Sequence, residues 1–581
     1  LIRYAPSMEK QWQTINPDPE TVRRLSRQVQ CSPLIARLLA NRGIQSKIQA
    51  TRFLHPSLSD LTPPMELAGM DDAVHRIHQA LENGEKILVF GDYDADGITA
   101  TAALVGFLRH CGARASYYIP HRIADGYGLG TDFINNRAIP SGVGLIVTAD
   151  CGSGSSEAVS LARQAGIHTI VTDHHPVGRI PGDAVAVINP TRPECRANLA
   201  HLAGVGVAFY LLIALRAHLR KTGFWKNRRE PNLKHLCDLV AVGTIADVAP
   251  LIGENRTLTT AGLRQINQAA RPGIAALMRM SGSPGTPTDA EAIAFRLAPR
   301  LNAAGRLVHA RMACELLLTD NRQKANSLAK ALCRLNNRRR SMEQDLLETI
   351  LERLPRPPGQ MAQPVLVMDG NRWHEGILGI VASRLVRRYN RPAVVISTRN
   401  GMGKGSARSI DGIDLSAALE GCANLLDRFG GHPLAAGLSL PTANIPAFRS
   451  RLETVVGQMT ADLGAKPTLS IDAHVPLETI TPELMNNLDR LEPFGQGNPH
   501  PLFMDTGVRI HASKSVGDRH RQMVLESGSG NGGRHPAIQF NVMDVPLGVD
   551  RLNKIAYRPQ WNYWNGRKNL QLIVEATDPE S

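Results

Sequence analysis

KILVFGDYDADG, residues 86–97, sets an apolar run directly against three carboxylates at alternating positions, Asp92, Asp94 and Asp96. An Ile-Leu-Val-Phe run closed by glycine predicts a buried strand. Polar residues just past such a strand sit where open α/β sheets bind their ligands. If the strand continued, alternation would place all three carboxylates on one face. Like charges so crowded raise one another's pKa unless a cation lies among them. TDHH at 172–175 adds Asp173, His174 and His175. Oxygen-rich ligands joined by imidazole suit Mg²⁺ or Mn²⁺ better than thiolate-preferring metals.

Working outward, the pattern alternates from 86 to about 190. Strands are expected at 86–91, 115–119, 144–150, 167–173 and 184–189, with helices at 98–110 and 155–165. Such alternation predicts a parallel sheet with helices on both faces. Asp150 ends one strand, Asp173–His175 end the next, and Asp247 lies in GTIADVAPL at 243–251. Any one of these alone reads as a turn-capping carboxylate. Together they supply the bridging carboxylate, terminal carboxylates and imidazoles that a two-metal centre needs. Adjacent histidines in an extended strand point to opposite faces, so one of His174 and His175 is expected to ligate and the other to contact phosphate or steady its neighbour.

A helical stretch is expected from 204 to about 355, ending in a charged connecting helix at 321–354. A second α/β pattern covers 364–458, with strands at 365–368 and 393–396 and a helix at 376–389. From 466, short strands, a helix at 482–491 and a glycine-rich turn at 527–533 predict a small β-barrel of the OB-fold kind. The chain of 581 residues is too long for one core, and at 43% hydrophobic it is globular. Its net charge of +14 around an internal acidic cluster suits a polyanion substrate. Residues 296–340 hold eleven Lys/Arg against Glu315 and Asp320, which favours a DNA-tracking surface over a merely solvated helix face. Trp561, Tyr563 and Trp564 stand beside Arg567 and Lys568, a pattern that fits base stacking and fits hairpin packing equally well. Eight scattered cysteines without a CxxC pair suggest reduced thiols in a cytoplasmic protein. The first residues carry no apolar leader pattern, and no run approaches membrane-spanning length.

GDYDADG, VTADCG, VTDHH and GTIADV together resemble the DHH phosphoesterase superfamily. RLNAAGR (300–306), WHEGILGIVASRL (373–385), KGSARS (404–409) and GGHPLAAG (430–437) resemble its DHHA1 domain and preceding helical linker, and EPFGQGNP (492–499) resembles the start of the RecJ barrel. The chain is thus similar to the RecJ family over nearly its whole length. The resemblance implies a lead-in at 1–85, a DHH catalytic domain at 86–320, a connecting helix at 321–355, a DHHA1 domain at 356–462 and an OB-like DNA-binding domain at 463–581. It implies two divalent ions, Mn²⁺ or Mg²⁺, and removal of mononucleotides from the 5′ end of single-stranded DNA in recombination and repair. By position, Asp94, Asp96, Asp150, His174 and Asp247 would be metal ligands, with Asp92, Asp173 and His175 completing the catalytic set. Arg122, Ser406 and Arg408 would hold a terminal phosphate, Asn302 and Arg306 would lie near the scissile one, and His432 would offer a further anion contact. Implied partners are a single-stranded-DNA-binding protein and a RecQ-type helicase, with the enzyme itself a monomer. One departure stands out. The usual aspartate-asparagine-glycine reads Asp150-Cys151-Gly152, which would set a thiol beside the metal. Two rival readings are a nuclease for short oligoribonucleotides or cyclic dinucleotides, and a binding-only scaffold. The barrel argues against the first, and the occupied ligand positions against the second.

Overall fold

The computed structural model describes residues 11–176, 178–282, 286–354, 363–460, 468–517, 520–528, 533–540, 542, 550–564 and 567–579. Strand β1 (Gln11–Thr14) belongs with the C-terminal part of the chain and is taken up there. The strand predicted from KILVFG forms as β2 (Lys86–Gly91), with β3 (Arg114–Tyr118), β4 (Leu145–Ala149), β5 (His168–Thr172) and β6 (Ala186–Ile188). They make a parallel sheet in the order β3-β2-β4-β5-β6. Alternation explains why β2 reads as an unbroken apolar run. Ile87 and Val89 enter the core under helices Ala95–His110, Gly204–Lys221 and Cys237–Ala246, whereas Leu88 and Phe90 face helix Ser156–Gln164 on the other side. The strand order reverses direction between β2 and β4. That switch point is where an open α/β sheet leaves a crevice at its carboxyl edge.

Helices continue from Gly204 to the 31-residue helix Arg322–Glu352, as expected. The second sheet contains β7 (Leu366–Asn371), β8 (Ala393–Arg399), β9 (Met402–Arg408), β10 (Arg428–His432) and β11 (Ala435–Pro441), ordered β10-β11-β9-β8-β7. Only the β7–β8 pair is parallel among these neighbours. KGSARS and GGHPLAAG, which look like loops because glycine is a poor strand former, are the strands β9 to β11 and their hairpin. Helix Glu375–Tyr389 covers one face of this sheet, and helices Leu415–Glu420 and Ile445–Thr460 the other.

At the C-terminus lie β12 (Thr468–Ile471), β13 (Ala473–His474), β14 (Phe503–Val516), β15 (His520–Glu526), β16 (His535–Phe540), β17 (Arg551–Trp564) and β18 (Arg567–Pro579). Pairing of β14 with β17 closes β14-β15-β16-β18-β17 into a ring. The glycine-rich turn expected at 527–533 falls largely outside the described residues, as does the side chain of Trp564. The N-terminal helices Pro19–Gln28, Pro33–Asn41 and Lys47–Leu54 do not stand apart. Leu25, Ile35, Leu39 and Leu54 share one core with Phe503 and Tyr557 of the ring and with Leu477 just before it, and β1 pairs with β12.

Candidate metal centre and phosphate pocket

β2 stops at Gly91, and the chain turns at once into helix Ala95–His110. Asp94 caps that helix, accepting from the N–H groups of Asp96 and Gly97 at 3.0 and 3.1 Å. The three aspartates therefore ring a strand-to-helix turn instead of lining one strand face. Gly97 permits the turn, since a Cβ there would lie 2.6 Å from Asp92 Cβ. Asp96, 1% exposed, accepts from the N–H groups of Gly204 and Val205 at 2.7 and 2.9 Å. These belong to the first turn of helix Gly204–Lys221, whose positive dipole end favours the carboxylate. Across the switch point, Asp150 takes a left-handed φ of +65° just past β4. Such strain in a non-glycine residue marks a position held by its surroundings. A Cβ on residue 204 would land on the Asp150 carboxylate, and one on residue 243 would come 2.7 Å from Asp96 Oδ1.

His174 Nε2 lies 3.2 Å from Asp150 Oδ1, 3.8 Å from Asp247 Oδ2 and 3.9 Å from Asp96 Oδ2. His175 Nδ1 lies 2.8 Å from Asp173 Oδ1 and 3.9 Å from Asp150 Oδ1. Because β5 ends at Thr172, the opposite-face rule for strands does not separate the two histidines. Their rings are 4.6 Å apart and both approach Asp150. Three donor groups are close enough to hold a cation: Asp92, Asp94 and Asp150; Asp96, His174 and Asp247; and Asp150, His174 and His175. Asp150 is common to the first and third of these, and His174 to the second and third. Asp92 Oδ1, Asp150 Oδ1 and His174 Nε2 are buried without hydrogen-bond partners. Orphaned buried acceptors aimed at one another are unfavourable alone and fit divalent cations.

The titration behaviour agrees. Burial, with the charges of neighbouring aspartates, pushes Asp92 and Asp150 well above the carboxylate range. Burial and Asp94 raise Asp96 to about 7, against the pull of the Val205 and Gly204 amides. Burial and Asp96 raise Asp247 to about 8. Burial and the neighbouring His175 lower His174 to about 4, leaving a neutral imidazole at pH 7, as a ligand must be. Asp173 is different. Burial would raise it, but His175 and the backbone amides of Ser153 and His175 hold it below its ordinary value. Its oxygens accept from the Ser153, His174 and His175 N–H groups and contact His175 Nδ1, so it is placed to orient His175. That contact overcomes the effect of burial and lifts His175 to about 9. Cys151, which sequence alone would set beside the metal, instead turns inward. It is 0% exposed among apolar residues, with Sγ 3.7 Å from the Phe90 carbonyl, and burial raises its thiol pKa well above the ordinary value.

Beside the acids lies a cationic cluster. Ser406 and Arg408 sit two apart on β9 and so share a face, with Arg408 Nη1 donating to Ser406 Oγ at 3.1 Å. Gly379 clears the space before them, because a Cβ there would meet Arg408 Nη2 at 2.7 Å and Ser406 Oγ at 2.9 Å. Arg306 donates to the Gly376 carbonyl at 3.3 Å. Burial and the charges of Arg122, Arg339 and Arg408 lower it to about 9, still a cation at neutral pH. Arg122 lies over the Tyr93 ring at 3.9 Å, with its buried Nε unpartnered. Gathered arginines with so few anions between them form a ready phosphate pocket. Asn302 Oδ1 accepts from the Ala95 N–H at 2.8 Å, fixing the helix that follows the aspartates. His432 rims a pocket of about 230 Å³ shared with Tyr127, Gly152, Ser153, Asp173 and His175.

The structure thus brings the sequence-predicted acids and imidazoles into one centre, and the phosphate candidates beside it. Sequence reasoning missed the Gly204–Val205 amides, Gly243, and the Tyr93–Tyr127 wall that runs between Arg122 and His175. GTIADV contained the glycine, but only the fold shows what it makes room for. The basic stretch 296–340 divides. Arg339 pairs with buried Glu343, Arg311 and Lys324 pair with Glu315, and Lys330, Arg334, Arg338 and Arg340 are exposed. Trp561 packs within its hairpin neighbourhood, donating from Nε1 to Asp489 Oδ2 at 3.1 Å with Lys568 Nζ 4.0 Å from the ring, whereas Tyr563 stays 39% exposed.

Family models match the DHH family N-terminal domain at 86–244, the DHHA1 domain at 362–458 and the RecJ OB domain at 471–576. The single-stranded-DNA-specific exonuclease RecJ of Salmonella typhimurium is 39% identical over 562 residues, covering 94% of this chain and 95% of that one. Its Escherichia coli counterpart is 38% identical over 566 residues, with 94% and 95% covered. The chain belongs to the RecJ family. Among solved structures, Thermus thermophilus RecJ in complex with Mn²⁺ superposes with a TM-score of 0.82 at 31% identity, covering 98% of this chain and 80% of that one. The Mg²⁺ complex of the same RecJ gives 0.76 at 31% identity, covering 98% and 79%. No helix among the described residues is long and apolar enough to cross a membrane.

Proposed function

We propose that this chain is a metal-dependent exonuclease that hydrolyses single-stranded DNA from its 5′ end, releasing mononucleotides. The observation that carries the reading is the adjacency of two unlike clusters: carboxylates and imidazoles sharing Asp150 and His174, beside Arg122, Arg306 and Arg408, for which no ion pair is seen among the described residues. Asp92, Asp94 and Asp150 would hold one divalent ion, Asp96, His174 and Asp247 a second, with Asp150 as the bridge. When bound, Mn²⁺ or Mg²⁺ supplies Lewis-acid activation of water and neutralises charge on the scissile phosphate.

The chain's own groups do the rest. Arg408, Ser406 and Arg122 grip the terminal phosphate, which limits how far the first linkage reaches toward the carboxylates. Arg306 offsets charge on the next phosphate. Asp173 holds His175 in one orientation through Nδ1, so that its other ring nitrogen can serve as a proton donor to a phosphoryl oxygen or the departing 3′ oxygen. Away from the centre, a cleft of about 850 Å³ runs between helix Gly253–Ala269 and β17, and it contains Tyr563 and the 73% exposed Phe295. Flat exposed rings in a basic protein suit sequence-tolerant base stacking. The same surface would take single-stranded DNA handed on by a binding protein or a helicase.

The test is digestion of 5′- and 3′-labelled single strands, duplexes and RNA with Mn²⁺, Mg²⁺ or EDTA. The expected result is labelled mononucleotide released first from the 5′ label of single-stranded DNA, and none in EDTA. Release first from the 3′ label, or equal attack on duplex, would refute the reading.

A further inference from the structure

We infer that Arg256 and the loop 492–499 act as a positioning device for Asp247, so that the C-terminal part of the chain sets the geometry of the metal centre. The inference rests on the reading of Asp247 as a metal ligand.

Asp247 caps the C-terminus of helix Cys237–Ala246, and the next helix begins at Gly253. The connector between them is short and awkward. Val248 takes a φ of +61°, rare for a β-branched residue, and is 66% exposed, so its own side chain does not anchor it. The anchoring comes from elsewhere. The Leu251 N–H donates to the Gln496 carbonyl at 2.7 Å, a bond from the catalytic body to EPFGQGNP. The Pro250 carbonyl accepts from Asn255 Nδ2 at 3.1 Å. Two glycines let the loop approach this closely. A Cβ at 495 would lie 2.8 Å from Leu251 Cδ1, and one at 497 would lie 3.2 Å from both Pro250 and Ile252, where φ is already +73°.

The loop is itself gripped from the catalytic side. Arg256, one turn into the second helix, is 2% exposed, and no acid pairs with it in the bonds described. It donates to the carbonyls of Phe53 (3.0 Å), Leu491 (2.9 Å) and Glu492 (2.7 Å), with longer bonds of 3.4 Å to Arg490 and Pro493, and its guanidinium lies 3.8 Å from the centre of the Phe53 ring. Asn498 locks the loop from within, donating to Leu491 and Pro493 carbonyls at 2.8 Å and accepting from Arg42 Nε at 2.6 Å. A planar fork fixes several carbonyls in one geometry, which neither an apolar residue of the same volume nor a lysine does. The loop, which leads on to the C-terminal ring, is thus hydrogen-bonded to the connector at Leu251, four residues along the chain from Asp247. Strain on the ring, as when it engages DNA, would be felt at Asp247.

Calorimetric Mn²⁺ titration of the full chain, without DNA, tests this alongside single-strand affinity measured in EDTA. Arg256→Met and Asn498→Ala should each weaken Mn²⁺ binding at one site roughly 10-fold, the lower end for partners that orient a ligand, and leave affinity for DNA in EDTA unchanged. Arg256→Lys, which keeps a cationic donor but not the planar fork, should lose less than Arg256→Met. Should Arg256→Met fail to fold by circular dichroism, Asn498→Ala carries the same readout. Asp247→Asn is the reference. If it weakens Mn²⁺ binding while folded Arg256→Met or Asn498→Ala binds Mn²⁺ like the wild type, the positioning role is overturned. If Asp247→Asn itself leaves the isotherm unchanged, the ligand reading fails, and the inference with it.

Discussion

The two α/β sheets of this protein solve opposite electrostatic problems. The first is all parallel and buried on both faces, and the buried polar side chains within its strands, Thr148, Thr169 and Thr172, carry no charge. Its chemistry gathers past the strand ends, where Asp92, Asp150 and His174 follow β2, β4 and β5. The second is largely antiparallel, and β9 presents Ser406 and Arg408 from within the strand by alternation. One sheet concentrates negative charge that only a cation can relieve, and the other positive charge suited to phosphate. A substrate that is a phosphate chain needs both, held at a fixed separation.

The sharpest way to break this contrast is on the acidic side. Asp150→Ala removes the group shared between donor sets, and hydrolysis should fall to background in Mn²⁺ while binding to single-stranded DNA persists. Turnover near that of the wild type would refute the bridging role.

Next comes the joint between the sheets. Glu343 on the long helix Arg322–Glu352 is 1% exposed and meets Arg339 at 3.2 Å and Arg384 of the second body. Removing one partner of a buried pair typically costs about 3–5 kcal/mol. Glu343→Gln should fall near the lower end, because the Arg384 side chain is 39% exposed. Denaturant unfolding measures it, and a change within error would show that the joint is incidental.

A gentler probe is pH. In the metal-free protein Asp96 titrates at about 7 and Asp247 at about 8, both raised from 3.8. Between the unfolded value and these, the folded state binds more protons. Metal-free stability should therefore fall as pH rises through that window. Mn²⁺ must displace the same protons, so its affinity should rise from pH 6 to pH 8. Calorimetry at the two pH values checks the sign, and a flat or falling affinity would mean that these carboxylates are not ligands.

The acidic half of this contrast is legible in the sequence because its parts are contiguous: strand, turn and three aspartates lie within KILVFGDYDADG. What holds it is not. Asp96 is anchored by amides more than a hundred residues away at Gly204 and Val205, and no local pattern announces that pairing. Strand alternation does not govern Asp92, Asp94 and Asp96, because β2 ends at Gly91, as its apolar run predicts, and the aspartates lie past it; His174 and His175 likewise lie past β5, which stops at Thr172, one residue short of its expected end. The cationic half is harder to see, since β9 to β11 are glycine-rich. The joining of the N-terminal helices to the C-terminal ring is invisible in sequence, being a shared core between the two ends of the chain.

We propose that the second sheet measures the substrate's end for the first. Arg408→Ala, assayed on single strands beginning with a 5′ phosphate and on the same strands beginning with a 5′ hydroxyl, tests it most directly. A charge-assisted bond of about 1.5–3 kcal/mol corresponds to roughly a 10- to 150-fold loss on phosphorylated ends. The loss on hydroxyl ends should be far smaller, because the lost partner was never there. Equal losses on both substrates would contradict the claim.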